Sequence, residues 1–427
     1  MSFPALTSHE QAMLDGDHGA GTAMAMRLVV RLAQAMEASR LLPITGAHID
    51  SCLYHGQSGI DFVQRLVDGG AQVLVPTTLN VSSLDLLHPE LFQGEPATAT
   101  AAQALMDGYV ALGCEPTWTC APYQAELRPA FGEQIAWAES NAIVFANSVL
   151  GARTHRYGDF IDIAAAVTAR VPDAGLHHTD NRTASVVVDV SGLPLVLREL
   201  DAMYPCLGFV IGRRFPGEIP AIMGLPSSTS EDDLKALGAA AASSGNLAMF
   251  HAVGITPEAP TLAAACGGDD VVDLVDVAVV TAADIRDARD QLSTHSDQPL
   301  ATVSLGTPHY SLAEIERLHQ ELGNNTIAPS VAFYVSTARA TLHEAMLRGW
   351  VTPLRNAGVI FVTDTCTYIT PIVKDTTGLA MTDSAKWAYY APGNIGVDAV
   401  FGALSECVQS AVAGRVIRDE GLWADVV

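Results

Sequence analysis

The chain has 427 residues, 49% hydrophobic and only 16% charged, a globular composition with room for one large or two to three ordinary domains. A formal net charge of −24 with no basic cluster argues against nucleic acid and anionic membrane surfaces as partners. Seven cysteines without regular spacing and without a C-x-x-C pair fit a reducing cytoplasm with free or metal-bound thiols, not a disulfide framework. The start, Met1-Ser2-Phe3-Pro4-Ala5-Leu6, has no charged region ahead of an apolar run, and no apolar stretch is long enough for a bilayer.

In chain order, Thr7-x-x-Glu10 predicts a capping box that opens a helix, followed by a second helix over 21–38. A short apolar run at 41–44 leads into a polar loop, Gly46-Ala47-His48-Ile49-Asp50. A helix over 59–67 then leads to a strand at 73–75 that ends in the loop Pro76-Thr77-Thr78-Leu79-Asn80. Residues 132–151 show an apolar stripe (Ile135, Ala138, Ala142, Phe145, Val149) at helical spacing. Beside it runs a largely polar, uncharged stripe of Ser140, Asn141, Val144, Asn147 and Ser148. A solvent face usually carries Lys and Glu, so this stripe either faces a site or partner, or caps nearby loops inside a buried helix.

Five further runs, 219–223, 247–250, 301–305, 331–335 and 359–362, predict buried strands, with helices over 231–242 and 283–292 between them. Strands alternating with helices predict an α/β chain with mostly parallel sheets. The expected division is into two regions, 1–205 and 206–427.

Three cysteines lie in polar surroundings. They are Cys120 in a Pro-containing loop, Cys366 just beyond the predicted strand 359–362, and Cys407 on a helix after Val400-Phe401. Three thiolates brought together hold an iron–sulfur cluster with one iron open, and an open iron is a Lewis acid. A single cysteine is more often a small buried hydrophobe, the reading applied to Cys52, Cys114, Cys206 and Cys266. Ligands gather beyond the carboxyl ends of strands in open α/β sheets. That rule singles out three polar sets: His48 with Asp50; Thr77, Thr78 and Asn80; and Ser304, Thr307, Pro308 and His309. Glu139 and Arg153 make either a carboxylate-binding pair or an ordinary ion pair. Phosphate-binding, dinucleotide, nucleophile-elbow and H-E-x-x-H motifs are missing from the sequence.

Several long runs resemble aconitase X. They are 46–50, 75–80, 119–123, 136–142, 146–153, Gly306-Thr307-Pro308-His309, Thr363-Asp364-Thr365-Cys366 and Ser384-Ala385-Lys386, and together they cover nearly the whole chain. The resemblance implies a multi-domain, aconitase-like hydro-lyase with an iron–sulfur cluster on three cysteines, here Cys120, Cys366 and Cys407. A [2Fe-2S] cluster is expected, with [3Fe-4S] and [4Fe-4S] as alternatives. Runs such as 118–124 and 84–89 are more similar to the bacterial branch, which dehydrates cis-3-hydroxy-L-proline; the archaeal branch dehydrates mevalonate 5-phosphate. The family also has a small swivelling domain, fused or separate, and only 408–427 follow Cys407. The chain is therefore expected to be the large subunit of a heterodimer, or else part of a longer fused protein.

The implied reaction loses water from the hydroxyproline and ends at Δ1-pyrroline-2-carboxylate. His48 is the candidate base, with the small subunit as the other possible source. Lys386 and Arg153 would supply positive charge; Thr77, Asn80, Glu139, Asn141 and Ser148 would complete the substrate site. A non-catalytic metal-binding subunit is the rival of a different class.

Overall fold

A computed structural model describes residues 3–125, 127–272, 274–294 and 298–424. The chain is α/β and divides into two compact units. One comprises Met1–Leu84 and Glu95–Thr183; the other comprises Asp85–Gly94 and Ala184–Val427. The division thus falls at 183/184, not the expected 205/206, and a short early segment belongs with the later unit. The helix Met203–Arg214 runs unbroken through the expected boundary, because its apolar residues are needed inside the second unit. Among the described residues, no helix is long and apolar enough to cross a membrane.

The first unit opens as predicted, with Thr7 and Glu10 forming the capping box of helix Ser8–Asp15. Helix Ala20–Ala35 follows. The apolar run at 41–43 forms a strand that pairs antiparallel with Arg170–Pro172. The neighbouring expectations need correction. Residues 73–75 are not a strand; the strand is Thr77–Leu79, and the supposed polar loop 46–50 contains the strand Ala47–Ile49. These two pair in parallel, with Ala136–Trp137 on the other side of Ala47–Ile49. Their threonines and histidine are buried although polar, so hydropathy shifted the sequence reading one step too early.

The predicted single helix over 132–151 is also broken up. Residues 136–137 extend the small sheet; Ser140–Phe145 is α-helical and Ala146–Leu150 a π turn. Single π turns inside helices concentrate at functional sites.

The second unit holds two parallel sheets. Its five-stranded sheet runs Val359–Val362, Ala332–Thr337, Leu300–Tyr310, Leu379–Thr382, Asp398–Phe401. The four-stranded sheet runs His251–Ala252, Pro220–Met223, Val186–Asp189, Val277–Val279. The predicted strand at 247–250 is irregular chain leading into His251–Ala252. Strand Leu300–Tyr310 is buried along its whole length. Its register against Ala332–Thr337 shifts between Leu305 and Tyr310, where Gly306 sits at φ 88° and Thr307–Pro308 is cis. A Cβ at Gly306 would collide with the Ser336 carbonyl, so only glycine lets the two strands approach there.

Candidate functional site

In the first unit the functional side chains sit at the carboxyl ends of the three-stranded sheet. His48 is fully buried on the central strand. Its Nδ1 bonds Thr78 Oγ1 at 2.9 Å, and its ring lies 5.8 Å from that of Trp137 on the opposite neighbour. Its Nε2 has no hydrogen-bond partner among the described residues. Burial lowers its pKa to about 4, against an upward pull from the Glu139 charge. The imidazole is therefore neutral at pH 7 and its Nε2 is unclaimed by any bond within the unit.

Asp50 follows directly. Burial raises its pKa to about 7, aided by the charges of Glu139 and Asp159 and opposed by the Asn80 amide, which donates to its Oδ1. Asn80 Oδ1 is itself buried without a partner among the described residues. The turn behind Asp50 is fixed by Asp162, which accepts from the backbone N–H of Asp50 (2.8 Å) and Ser51 (3.0 Å) and from Ser51 Oγ (3.0 Å).

The other expected residues of this unit hold structural bonds. Thr77 Oγ1 donates to the Val75 carbonyl at 2.8 Å. Glu139, at φ 74°, caps helix Ser140–Phe145 by accepting from Ala142 N at 2.7 Å. Asn141 donates to the Cys120 carbonyl at 3.0 Å and bonds the Tyr123 hydroxyl, so it anchors the loop that carries Cys120. Tyr123 in turn stacks on Phe145 at 3.6 Å. Arg153 donates to Thr179 Oγ1 at 2.8 Å. Ser148 lies buried in the π turn. Cys120 is buried in its loop as predicted.

In the second unit the chemistry gathers at the carboxyl ends of the five-stranded sheet. Cys366 lies in the turn beyond Val359–Val362, and His309 near the end of Leu300–Tyr310. Both are buried, and their ligand atoms lie within 4.8 Å of one another. His309 Nε2 donates to the Thr365 carbonyl at 3.1 Å, a partner that can only accept, which fixes the ring orientation. Thiolate and imidazole are both donors that iron accepts, and iron–sulfur centres with histidine in place of cysteine are known chemistry. His309 was only one of several strand-end polar residues in the sequence. The structure sets it within ligand reach of Cys366.

Cys407 is not in that group. It sits on helix Leu404–Ala413 in the apolar core with Val303, Leu305, Met381 and Val408, its thiol against the Gly402 carbonyl at 3.9 Å. Burial pushes its pKa well above the ordinary thiol value. Helix Leu404–Ala413 turns Cys407 into the core cluster, and His309 is the donor within 4.8 Å of Cys366. Lys386 is buried in the first turn of helix Ala385–Ile395. Ser384 caps this helix by accepting from Trp387 N at 3.0 Å and donates its own hydroxyl to the Thr307 carbonyl.

Family models described as the aconitase X first, second and third domains match residues 4–180, 184–290 and 300–413. The chain belongs to the aconitase X family. It is 42% identical to a cis-3-hydroxy-L-proline dehydratase of Pseudomonas aeruginosa, over 96% of this chain and 70% of that protein. Against the enzyme of the same name from Hypocrea jecorina it is 41% identical, over 96% and 69%. A phosphomevalonate dehydratase large subunit of Methanothermobacter thermautotrophicus is 35% identical, over 92% of this chain and 95% of that one. The fold matches the crystal structure of Thermococcus kodakaraensis aconitase X in its holo-form with a TM-score of 0.85, at 29% identity, covering 95% of this chain and all of that one.

Proposed function

We propose that this aconitase X chain is the large, catalytic component of a hydro-lyase that removes water from cis-3-hydroxy-L-proline and yields Δ1-pyrroline-2-carboxylate. The higher identity to the two proline dehydratases than to the phosphomevalonate enzyme supports that substrate. A small partner subunit is part of the proposal, because relatives that match nearly end to end are named large subunits. Cytoplasmic location follows from the same reading. The single observation that carries the chemistry is His48: a buried, neutral imidazole whose Nε2 has no partner in its unit.

His48 Nε2 takes the proton from C2 of the substrate. The C2–H electron pair becomes the C2=C3 double bond as the C3–O bond breaks, and the hydroxide leaves with a proton as water. The enamine then tautomerises to the cyclic imine. Lys386, at a helix start, is proposed to hold the substrate carboxylate as charge moves onto it, and Asn80 Oδ1, an acceptor without a partner among the described residues, to receive the N–H of the substrate ring. Thr77, Glu139, Asn141 and Arg153 are proposed to shape this pocket from behind, through the bonds described above, and Ser148 from its buried place in the π turn. Cys366, His309 and Cys120 are the residues proposed to hold an iron–sulfur group. When bound, that group supplies Lewis acidity toward the leaving hydroxyl.

The test is anaerobic reconstitution with iron and sulfide, followed by assay with the small partner present. Imine from cis-3-hydroxy-L-proline is expected; turnover of mevalonate 5-phosphate instead would reassign the substrate. His48→Gln should lose about 10²–10⁴-fold in kcat with iron content unchanged, the usual worth of a positioned base. Full activity in that variant would remove His48 from the mechanism.

A further inference from the structure

The segment Asp85–Gly94 belongs to the second unit although its neighbours on both sides belong to the first. Its contacts converge on one turn. Asp85, buried, accepts from Thr363 N at 2.8 Å and from Thr363 Oγ1 at 2.9 Å. The next residue, Leu86, donates its N–H to Asp364 Oδ2 at 3.0 Å. At the far end Gln93 donates its N–H to the Pro371 carbonyl at 2.7 Å. Leu91 packs between these ends against Tyr334, Val362 and Ile372. The segment is thus fastened on both sides of Cys366, three residues before it and five after.

Asp364 adds a second clamp. It is buried at φ 63°, a left-handed conformation that asparagine and aspartate tolerate better than most residues. Arg339, the first residue of helix Arg339–Leu347, grips it with a fork: Nε to Oδ1 at 2.6 Å and Nη2 to Oδ2 at 2.7 Å. Asp85 also accepts from the N–H groups of Leu87 and His88, both at 2.9 Å, and bonds the His88 ring Nδ1 at 3.0 Å, which stiffens the segment itself. The bonds from Asp85, Leu86 and Arg339 fix the chain at Thr363 and Asp364, just before Cys366, and the Gln93 bond fixes it at Pro371, just after.

We propose that Asp85 and Arg339 are positioning residues that hold the Cys366 turn in the geometry required to bind iron. This rests on the reading of Cys366 as a ligand. Partners behind a metal ligand typically change metal affinity 10- to 100-fold when removed.

The test uses the full chain, reconstituted anaerobically with ferrous iron and sulfide, as wild type, Asp85→Asn, Arg339→Ala and Arg339→Lys. Arg348→Ala is the control: this exposed arginine, just past the end of the same helix, pairs with Glu344. Iron per chain is followed under chelator competition, with visible absorption and the melting temperature of the metal-free protein. Arg339→Lys keeps the charge and loses the fork. It should fold as wild type and hold iron at least about 10-fold more weakly, as should Asp85→Asn, while Arg348→Ala matches wild type. Arg339→Ala should lose more, and if it fails to fold the other two variants decide. Wild-type iron affinity in the folded Arg339→Lys and Asp85→Asn variants would overturn the proposal alone. A wild type that takes up no iron would overturn the ligand reading, and this proposal with it.

Discussion

At Cys407 and Cys366 the same side chain meets two environments. Cys407 fills a slot among Val303, Leu305 and Met381, so its sulfur contributes packing and little else. Cys366 sits among buried threonines, Thr363, Thr365 and Thr367, with the imidazole of His309 within ligand reach. Cys407→Ala should therefore lower stability by about 1 kcal/mol through the lost contacts and leave iron uptake intact. Cys366→Ser should do the reverse, abolishing iron uptake at little cost in stability. Iron content after reconstitution, set beside urea unfolding, separates the two. Loss of iron in Cys407→Ala would return Cys407 to the ligand set.

The turn after strand Ala47–Ile49 is the element on which the first unit's chemistry depends. Asp162, fully buried, receives the N–H groups of Asp50, Ser51 and Ile163 and the hydroxyl of Ser51, which Tyr109 backs with a 2.6 Å bond. Asparagine at this position has one acceptor oxygen, so at least one of these buried donors is left unsatisfied. Burial raises the Asp162 pKa to about 6, so the carboxylate is the dominant form at pH 8 and the neutral acid at pH 5. Asp162→Asn removes this titration, so its cost should grow by about 1 kcal/mol as pH falls from 8 to 5, because the raised pKa gives the wild type stability at low pH that it loses as pH rises through 6. Denaturant unfolding at both pH values checks this; an equal loss at both would mean that the charge does not matter. The same turn shows what sequence could and could not reveal. The capping box at Thr7 and the strands near 301–305, 331–335 and 359–362 were legible because local chemistry or long apolar runs determine them. The strands Ala47–Ile49 and Thr77–Leu79 were not, because three residues carrying His and Thr look like loop until a sheet closes around them. His48, Cys120 and Cys366 stood out by residue type and flanking chain. The nearness of Cys366 to His309 depends on how the folded chain brings them within ligand reach, and the inward turn of Cys407 on helix phase, neither of which is written in any local run.

Across the whole molecule, buried acids and buried histidines pull stability in opposite directions with pH. Burial raises Asp50, Glu314 and Asp383 to about 7 and Asp162 to about 6. Each binds its proton more tightly folded than unfolded. Their contribution is full below the unfolded pKa near 4 and is lost as pH rises toward 7. His48 and His177 act the other way: burial lowers them to about 4 and about 3. Their contribution is full above the unfolded pKa near 6.5 and is lost as pH falls below it. The lowered carboxylates, such as Glu10, Asp85 and Asp232, stay ionised until still lower pH. A net charge of −24 adds self-repulsion that grows with every acid ionised on the alkaline side. Between about pH 4 and 6.5 the four acids outweigh the two histidines, so these signs place the stability maximum of the metal-free protein well on the acid side of neutrality, at about pH 4–5. Added salt should raise the melting temperature more at pH 8 than at pH 6, because repulsion between ionised carboxylates is what it screens. Melting curves from pH 4.5 to 9 at two salt concentrations test both statements. A melting temperature that climbs from pH 4.5 to 6.5 would mean that the histidines, not the acids, dominate. His48→Gln should then flatten the acid limb of that curve, since the wild type gives up as much as about 3 kcal/mol there through this one ring.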